Sequence, residues 1–520
     1  MDIEYDKEIK SAKHKTPTEY ANWLGHLHAS QTTSSQKKEF GQFFTPSSIS
    51  EFMSTQISID NETISILDPG CGIGILSCAL VEHLVDINKQ LKKIAITAYE
   101  LDEKIINQTK SAFDFLVEWA LSKGVNITYD IRNCDYILDN TNSWSNATLF
   151  SNNTGLFDVI ISNPPYFKLS KDDARVKVMN NIINGQPNIY ALFIALSIRL
   201  LKKGGEMIFI TPRSFTSGRY FKLFRDYILS EAHINFIHLF NTRKETFSKD
   251  NVLQETLITK FTKDHKEQTT IISYSENLSD LNCATQRSYN ISEIINLSSP
   301  AKIIHLPSNE QEERIIRLFK SWNGCLNKYG IQISTGPVVA FRQKDSLQEG
   351  QSANTASLYW LHNVVKMLAD HPVARHGKEQ YIEVSPKVLS SLLPNKNYVF
   401  LRRFSTKDDS SRLIAAPYFG NMSQSEYIGV ENKLNYIYRP NGHMERAEVM
   451  GLSALLNSIV FDTYFRTFNG NTNVSATELR EISLPPLATI KKIGNELILT
   501  NDFSVNNINK IVESHLDKTV

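Results

Sequence analysis

Short apolar runs alternate with amphipathic segments over the first half of the chain. Residues 64–68, 94–100 and 157–162 are rich in Ile, Val and Ala, and Gly, Pro or acidic residues lie at or just after their ends. Such runs are typical of buried strands in a parallel sheet. Similar runs recur at 127–132, 206–212, 234–240, 256–261 and 269–274. We therefore predict that these segments are the strands of one sheet.

Helical periodicity separates many of these strands. Apolar residues recur at helical spacing in 75–87, 103–123, 187–203 and 217–230, and Gly204 with Gly205 follows the third segment as a predicted helix end. Strands that alternate with helices form a doubly wound sheet with right-handed crossovers. The pattern predicts an α/β fold with a Rossmann-like sheet in this half of the chain.

The alternation is lost near residue 290. Residues 291–313 are rich in Ser, Asn, Pro and acidic side chains and indicate a linker. Beyond them, short apolar runs separated by Gly, Asn, Asp and Ser predict irregular β structure, and 447–468 predict one long helix. The expected organisation is an N-terminal lid or extension at 1–40, a first domain at 41–290, a linker at 291–313 and a mixed α+β domain at 314–520.

Composition narrows the possible classes of protein. With 520 residues, 41% of them apolar, the chain has enough material for two packed cores. A net charge of +1 means that any surface for nucleic acid must be local. The five cysteines include no CxxC pair, which argues against a zinc site or a disulfide framework. No apolar stretch approaches a membrane span in length, so we expect a soluble, intracellular protein. The cysteine pattern leads us to expect no metal site.

One tetrapeptide carries the first chemical signal. Asn163, Pro164, Pro165 and Tyr166 directly follow the strand predicted at 157–162, and open α/β sheets bind ligands at the carboxyl ends of their strands. An amide oxygen and a proline carbonyl are both acceptors and suit an exocyclic NH2 group, while a tyrosine face can stack on a planar ring. Taken alone, the tetrapeptide is equally consistent with a simple turn.

Polar residues also follow the first three strands. Gly70, Gly72 and Gly74 permit close backbone approach where a helix begins. Glu100 ends the second strand and Asp135 follows the third. Taken singly, the glycines could simply form a tight turn, and each acidic residue could lie at a solvated strand end. Together these residues predict a nucleoside site, in which Glu100 is placed to bind a ribose diol. The glycine spacing is not GxGxxG and no phosphate-binding lysine is present, which favours a nucleoside without phosphates.

The order of these segments resembles a known family. A Gly-Gln-Phe-Phe-Thr-Pro segment at 41–46 precedes the Asp-Pro-Gly-Cys-Gly-Ile-Gly segment at 68–74, and Glu100 and the tetrapeptide follow. This order resembles the gamma-class N6-adenine DNA methyltransferases of type II restriction-modification systems, of the TaqI and PstI kind. The resemblance covers 40–260 and a short stretch at 468–486, whereas 300–460 carry no pattern that maps onto the family.

The resemblance implies S-adenosylmethionine as the cofactor in a methyltransferase sheet. Its methionine end would be bordered by Phe44, Thr45 and Pro46. The loop beside it would contain Asp68, Gly70, Cys71 and Gly72. Glu100 would hold the ribose and Asp135 would face the adenine ring of the cofactor.

The resemblance also implies how a target base is held. Asn163 and the Pro164 carbonyl would accept both N6 hydrogens of an adenine flipped out of duplex DNA, and Tyr166 would stack on its face. The family usually adds a second aromatic side chain from a later loop, for which Phe247 is the candidate. Since this arrangement aligns the amine with the sulfonium methyl group, no strongly basic side chain is needed.

Two other classes of protein share part of the pattern. Protein methyltransferases that act on glutamine use the same tetrapeptide to hold an amide, but they typically end soon after the catalytic sheet. A DNA-binding module without activity would not need an intact cofactor constellation. Because no carboxylate and lysine cluster of a nuclease is evident, the resemblance implies a separate cognate restriction endonuclease. We expect a monomer in the bacterial cytoplasm.

The C-terminal domain is expected to recognise the target sequence across a cleft about one duplex wide, roughly 20 Å. Basic residues on both walls would contact phosphates. The candidates are Arg213 and Arg219 on the catalytic side, and Arg402 and Arg403 with Lys407 and Arg412 on the other. Amides of Asn471 and its neighbours Asn469 and Asn473 would contact nucleic acid. An ordinary solvated loop explains the group around Arg402 equally well.

Overall fold

The structure is a computed structural model that describes residues 15–31, 45–141, 144, 155–183, 185, 187–240, 255–264, 268–406 and 409–516. The chain divides into two compact units, Met1–Lys302 and Ile303–Val520. This boundary lies inside the predicted linker, but both ends of that segment are helical. Asn290 and Asn309 cap Ile291–Ile294 and Glu310–Ser321 by accepting backbone N–H groups.

The described strands of the first unit form one nine-stranded sheet in the order β3-β2-β1-β4-β5-β7-β6-β8-β9. The strands are β1 (Thr63–Pro69), β2 (Lys93–Tyr99), β3 (Asn126–Arg132), β4 (Phe157–Ser162), β5 (Leu201–Pro212), β6 (Ala232–Phe240), β7 (Thr256–Lys263), β8 (Thr269–Ser275) and β9 (Thr285–Asn290). β1 pairs in parallel with both β2 and β4. The strand order reverses at β1, and such a reversal opens a crevice for ligands at the carboxyl edge.

Helices pack against this sheet. The described helices of the first unit are α1 (Pro17–Gln31), α2 (Ser47–Ser54), α3 (Ile75–Ile87), α4 (Ile106–Ser122), α5 (Tyr136–Asp139), α6 (Ala174–Val178), α7 (Ile189–Leu200), α8 (Lys222–Glu231) and α9 (Ile291–Ile294). Tyr20 and Leu24 of α1 are buried in one core with Leu80 of α3 and Phe113 of α4. The described part of the predicted N-terminal lid therefore belongs to the core of the first unit.

The third predicted helix ends earlier than expected. α7 begins after Asn188, whose side chain accepts from Tyr190 N, and ends at Leu200. β5 begins at Leu201, which pairs with Phe157, and a register shift precedes the pairing of Glu206 with Val159. Gly204 has φ 74°, so the glycine pair allows an irregular strand and does not end the helix.

The second unit is mixed α+β. Its described strands form a four-stranded sheet, β10-β20-β17-β18, a five-stranded sheet, β11-β15-β12-β19-β16, and the hairpin β13-β14. They are β10 (Gln332–Thr335), β11 (Leu347–Gln348), β12 (Thr355–Tyr359), β13 (Val364–Val365), β14 (Leu368–Ala369), β15 (Tyr381–Glu383), β16 (Leu393–Pro394), β17 (Tyr398–Arg402), β18 (Ala415–Tyr418), β19 (Tyr427–Val430) and β20 (Leu434–Tyr438). The prediction of an α/β sheet followed by a mixed α+β unit is confirmed.

The helices of the second unit correct one sequence prediction. They are α10 (Glu310–Ser321), α11 (Arg446–Asn457), α12 (Ile459–Phe468), α13 (Ala476–Glu481), α14 (Leu487–Thr500) and α15 (Val505–Leu516). The single helix predicted at 447–468 is two helices, because Ser458 adopts an extended conformation and its side chain caps α12 through Phe461 N. α10, α13, α14 and α15 were not predicted.

Candidate active site

The loop after β1 is shaped by its own backbone. Gly70, Gly72 and Gly74 all have positive φ, at 80°, 55° and 87°, and Gly74 immediately precedes α3. A Cβ atom on Gly74 would lie 2.4 Å from Cε1 of Phe113, so glycine is required there for steric reasons as well as for its conformation. The loop brings its backbone to the carboxyl edge of the sheet where α3 begins.

Asp68 lies fully buried at the base of this loop. Its Oδ2 accepts a hydrogen bond of 2.7 Å from Ser77 Oγ, while its Oδ1 has no hydrogen-bond partner among the described residues. Burial raises the pKa of the Asp68 carboxyl to about 7, although the bond from Ser77 acts in the opposite direction. A buried acceptor without a partner beside a glycine loop fits a ligand that donates a hydrogen bond at this point.

We expect the titration of Asp68 to be visible in the stability of the protein. Its pKa is higher in the folded than in the unfolded chain, so its protonation favours folding at low pH, and this contribution is lost as the pH rises towards 7. In urea unfolding at a series of pH values, Asp68→Asn should gain stability relative to the wild type between about pH 5 and 7, by up to ~1.4 kcal/mol per pH unit. A constant difference across this range would contradict the assignment.

Glu100 connects the end of β2 to the glycine loop. Its Oε2 accepts from Gly72 N at 2.9 Å and its Oε1 from Asp102 N at 2.8 Å. Burial raises the pKa of the Glu100 carboxyl, whereas these two bonds act to lower it. An ionised carboxylate offers about four lone-pair sites, so the Glu100 carboxylate can still accept from a ligand hydroxyl. The ribose contact of Glu100 stays a prediction.

Asp135 and Cys71 have structural roles that the sequence did not indicate. Asp135 Oδ1 accepts from two N–H groups at the start of α5, and Oδ2 lies 3.3 Å from Nη1 of Arg175. Its contact with adenine stays a prediction. Cys71 is buried, burial raises the pKa of its thiol, and its backbone N–H donates to Tyr99 O at 2.8 Å. It therefore shapes the loop through its backbone and not as a thiolate.

The tetrapeptide begins directly after β4 and is linked to the glycine loop. Ser162 Oγ, the last side chain of β4, donates to Pro69 O at 2.6 Å. Asn163 Nδ2 donates to Thr45 Oγ1 at 3.1 Å. Thr45 and Pro46 lead into α2, where Ser50 N donates to Pro46 O at 3.0 Å. The structure thus brings Thr45, predicted to border the cofactor, to Asn163, predicted to hold the base.

The Tyr166 hydroxyl lies between two acceptors. It contacts Asn163 Oδ1 and is 2.8 Å from the carbonyl oxygen of Ile210 in β5. Burial, and then the neighbouring Tyr190, raise the pKa of the Tyr166 phenol, so the hydroxyl is a neutral donor with one proton. It can donate fully to only one of these two oxygens at a time.

Some site residues were missed by sequence reasoning, and others cannot be placed. Ser77, Ser162 and Ile210 orient the predicted residues, but a serine in a helix and an isoleucine carbonyl carry no sequence signal. The tetrapeptide prolines, Pro164 and Pro165, follow Asn163 as predicted, the first of them buried. Phe44, Phe247 and Lys407 lie outside the described residues.

The structure corrects the prediction for Arg213. Its side chain is 7% exposed, and Nη1 lies 3.2 Å from Oε2 of Glu255, which is 5% exposed. This cation neutralises a buried carboxylate, so the prediction that it contacts a phosphate is wrong. Arg219 is exposed in a short turn before α8 and stays a candidate.

The basic group of the second unit is also partly corrected. Arg412 is 1% exposed, and its guanidinium donates to Ser405 Oγ, to Asn469 Oδ1 and to the carbonyl oxygen of Asn471. Arg412 and Asn469 therefore organise the loop that contains Asn471 and are not available to DNA. Asn471 is half-buried and stays a candidate through its side chain.

Arg402 and Arg403 lie at the end of β17 and are half-buried. Arg402 Nε donates to Val364 O at 2.6 Å, and Arg403 Nη1 donates to Asn432 O at 3.0 Å. Backbone carbonyls therefore orient both guanidinium groups without neutralising their charge. Both residues remain candidates for DNA contact.

Comparison with known proteins identifies the family. The Eco57I restriction-modification methylase family matches residues 82–247. Type II methyltransferase M.PstI of Providencia stuartii is 31% identical over 480 residues, which cover 92% of this chain and 93% of that protein. Type II methyltransferase M.BsuBI of Bacillus subtilis is 32% identical over 474 residues, which cover 89% and 91%. Both relatives extend across the two units.

A solved structure supports the same fold. The type IIL restriction-modification enzyme MmeI in complex with DNA superposes with a TM-score of 0.53 at 12% identity, covering 88% of this chain and 69% of that chain. The described helices include none long and apolar enough to cross a membrane. Within the same part of the chain, no group of three or more His, Cys, Asp or Glu residues is arranged to hold a metal ion.

The sheet, the glycine loop and the acidic strand ends, together with the family match, define an S-adenosylmethionine-dependent methyltransferase. The chain belongs to the type II methyltransferases of restriction-modification systems. It is a site-specific DNA methyltransferase, as predicted, and methylation of a protein glutamine is not favoured.

Proposed function

We propose that the enzyme methylates N6 of an adenine that is flipped out of duplex DNA, and that it acts as a cytoplasmic monomer beside a separate cognate endonuclease. The observation that carries this proposal is the position of Asn163 at the carboxyl end of β4. Ser162 Oγ donates a hydrogen bond to Pro69 O beside the glycine loop, and the amide nitrogen of Asn163 donates one to Thr45 Oγ1. The amide oxygen, which the Tyr166 hydroxyl also contacts, would receive a hydrogen from an exocyclic amine.

The residues of this chain act mainly by positioning. When bound, S-adenosylmethionine supplies an electrophilic methyl group on a positively charged sulfur. Asn163 Oδ1 and the Pro164 carbonyl would accept the two N6 hydrogens and hold the amine in line with that methyl group, while Pro165 fixes the backbone of the tetrapeptide. Tyr166 would stack on the base and offset part of the cost of flipping, with Phe247 as the candidate for the opposite face.

The same acceptors would also suit N4 of cytosine. Adenine is favoured by the order of the motifs and by Asn at position 163, where cytosine enzymes of the resembling group more often have Ser. Sequencing of methylated bases in DNA from cells that express the protein distinguishes the two. We expect N6-methyladenine at one recurrent sequence; methylated cytosine at that sequence would overturn the proposal.

We further propose that the second unit recognises the target sequence. Its candidate contacts are Arg402, Arg403 and Asn471, whereas Arg219 would contact phosphate from the first unit. Replacing these arginines should weaken binding and reduce its salt dependence, because each phosphate contact releases counterions. Fluorescence anisotropy with a target duplex at several salt concentrations measures both effects. An unchanged slope for all three variants would contradict their assignment.

Tyr166→Phe separates the ring from the hydroxyl. The variant keeps the stacking face but loses the hydrogen bond that connects the ring to Ile210 O. We expect the single-turnover rate to fall by about 5- to 10-fold, in line with one hydrogen bond of ~1 kcal/mol. Tyr166→Ala should lose more, because stacking on a base is worth about 1–3 kcal/mol. Single-turnover methylation of a target duplex measures both, and equal losses in the two variants would show that the hydroxyl, and not the face, matters.

A further inference from the structure

An exposed basic loop lies between β14 and β15 of the second unit. We call residues 371–380 the 371–380 loop. Residues 374–377 at its tip are exposed, and Lys378 N donates to Arg375 O at 3.0 Å to close a tight turn. Gly377 supplies the positive φ of 66°. The tip therefore presents Arg375 and His376 to solvent, with Lys378 beside them.

Two buried amides hold this loop in place. Gln380 is 5% exposed and Asn363 is fully buried. Gln380 Oε1 accepts from Val373 N at 2.9 Å, and its Nε2 donates to Lys378 O at 3.0 Å. Asn363 Nδ2 donates to Asp370 O at 2.8 Å and to Gln380 Oε1 at 3.2 Å. Satisfied buried polar networks give a loop one defined shape.

Trp360 fixes the basic side of the loop. Its Nε1 donates to Glu379 O at 2.6 Å, and Lys378 Nζ lies 4.3 Å from the centre of its ring. This cation–π contact orients the ammonium group without neutralising its charge. A binding surface whose cations are already ordered loses less conformational entropy when a ligand binds.

The loop belongs to a larger cluster of positive charge. The pKa of His362 is lowered, mainly by burial and then by the charges of Arg375, Lys378 and Arg402. Burial raises the pKa of Glu431, against the effect of Lys433, Lys378 and Arg403. The cluster therefore consists of Arg375, Lys378, Arg402, Arg403 and Lys433. None of the five forms an ion pair with a carboxylate in the described part of the chain.

We propose that the 371–380 loop is the element of the second unit that contacts the DNA target, with Arg375 at a base edge and Lys378 at a phosphate. This inference rests on the proposed function. A rigid turn with an arginine at its tip suits bidentate contact with guanine, whereas an oriented lysine beside further cations suits the backbone. Cations that form no ion pair with a carboxylate of the described residues fit a polyanion.

The test compares variants that separate shape from charge. Wild type, Arg375→Ala, Arg375→Lys, Lys378→Ala and the control Lys492→Ala, an exposed lysine on α14, are expressed in cells and their methylated bases are sequenced. Both Arg375 variants should relax the target at one base pair, with discrimination falling about 5- to 150-fold. Lys378→Ala should reduce methylation without changing the sequence. Lys492→Ala should match the wild type.

Binding measurements on the purified proteins exclude simple misfolding. Each variant should bind S-adenosylmethionine as the wild type does, and Lys378→Ala should lower the slope of log affinity against log salt by about 1. If the wild type methylates one sequence, the Arg375 variants methylate only that sequence and Lys378→Ala methylates it as well as the wild type, the inference about the loop is wrong. If the wild type methylates no recurrent sequence, the proposed function itself fails. The variants could instead bind DNA as the wild type does but no longer bind an acidic protein that the wild type binds. That result would assign the loop to a protein partner and would also overturn the inference.

Discussion

Asn163→Ala is expected to abolish methyl transfer, with a loss of at least about 1000-fold in single-turnover rate, while binding of S-adenosylmethionine changes by less than about 3-fold. The amide of Asn163 contacts Thr45 and Tyr166 and, in the account given above, supplies the acceptor that orients the target amine. Losses of 100- to 1000-fold are typical when one preorganised polar group is removed from a transition state, and here the acceptor also positions the nucleophile.

Two measurements on one preparation separate these effects. Equilibrium titration gives the cofactor affinity, and transfer of a labelled methyl group to a target duplex gives the rate. Asn107→Ala is a suitable control, because Asn107 is exposed on α4 and far from the tetrapeptide in sequence. Substantial activity in Asn163→Ala would rule out the proposed role of this amide.

Glu100→Ala is expected to have the opposite profile, with cofactor affinity reduced about 10- to 150-fold. A carboxylate that accepts hydrogen bonds from a ribose diol contributes charge-assisted bonds of about 1.5–3 kcal/mol. The variant also leaves Gly72 N and Asp102 N without their acceptor, which should lower thermal stability and loosen the loop.

Glu100→Gln helps to distinguish these two causes. It preserves the volume of the side chain but places an NH2 group where one of the two backbone N–H groups needs an acceptor. Both variants should weaken binding of the cofactor. Glu118 is exposed on α4, so Glu118→Ala should change neither the affinity for the cofactor nor the stability of the protein. A cofactor dissociation constant that is unchanged in folded Glu100→Ala would mean that the ribose lies elsewhere.

The catalytic edge could be predicted because its signals are local. A short apolar strand followed by a polar or glycine-rich segment identifies a strand end from a few adjacent residues, and this was enough to place Asp68, Glu100 and Asn163 on one edge of the sheet. The parallel pairing of β1 with β2 and β4 then brings these ends together. The types of these elements were predicted more reliably than their boundaries, because the type depends on adjacent residues.

The failed predictions depend on partners far away in sequence. Arg213 was assigned to DNA, but Glu255, 42 residues later, neutralises it. Arg412 was a candidate for DNA contact or part of an ordinary solvated loop, but Asn469, 57 residues later, accepts from it in the interior. The boundary between α7 and β5 likewise depends on the pairing of Leu201 with Phe157. Charge along the chain does not indicate whether a cation will be buried and paired.

The identity of the methylated base tests most directly the assignment of adenine N6 as the target and of Asn163 as its acceptor. The purified protein is incubated with unmethylated duplex DNA and S-adenosylmethionine that carries a deuterated methyl group, and the digested nucleosides are identified by mass spectrometry. We expect the label in N6-methyldeoxyadenosine with the wild type and in no nucleoside with Asn163→Ala. Label in N4-methyldeoxycytidine, or label in N6-methyldeoxyadenosine with both proteins, would contradict this assignment.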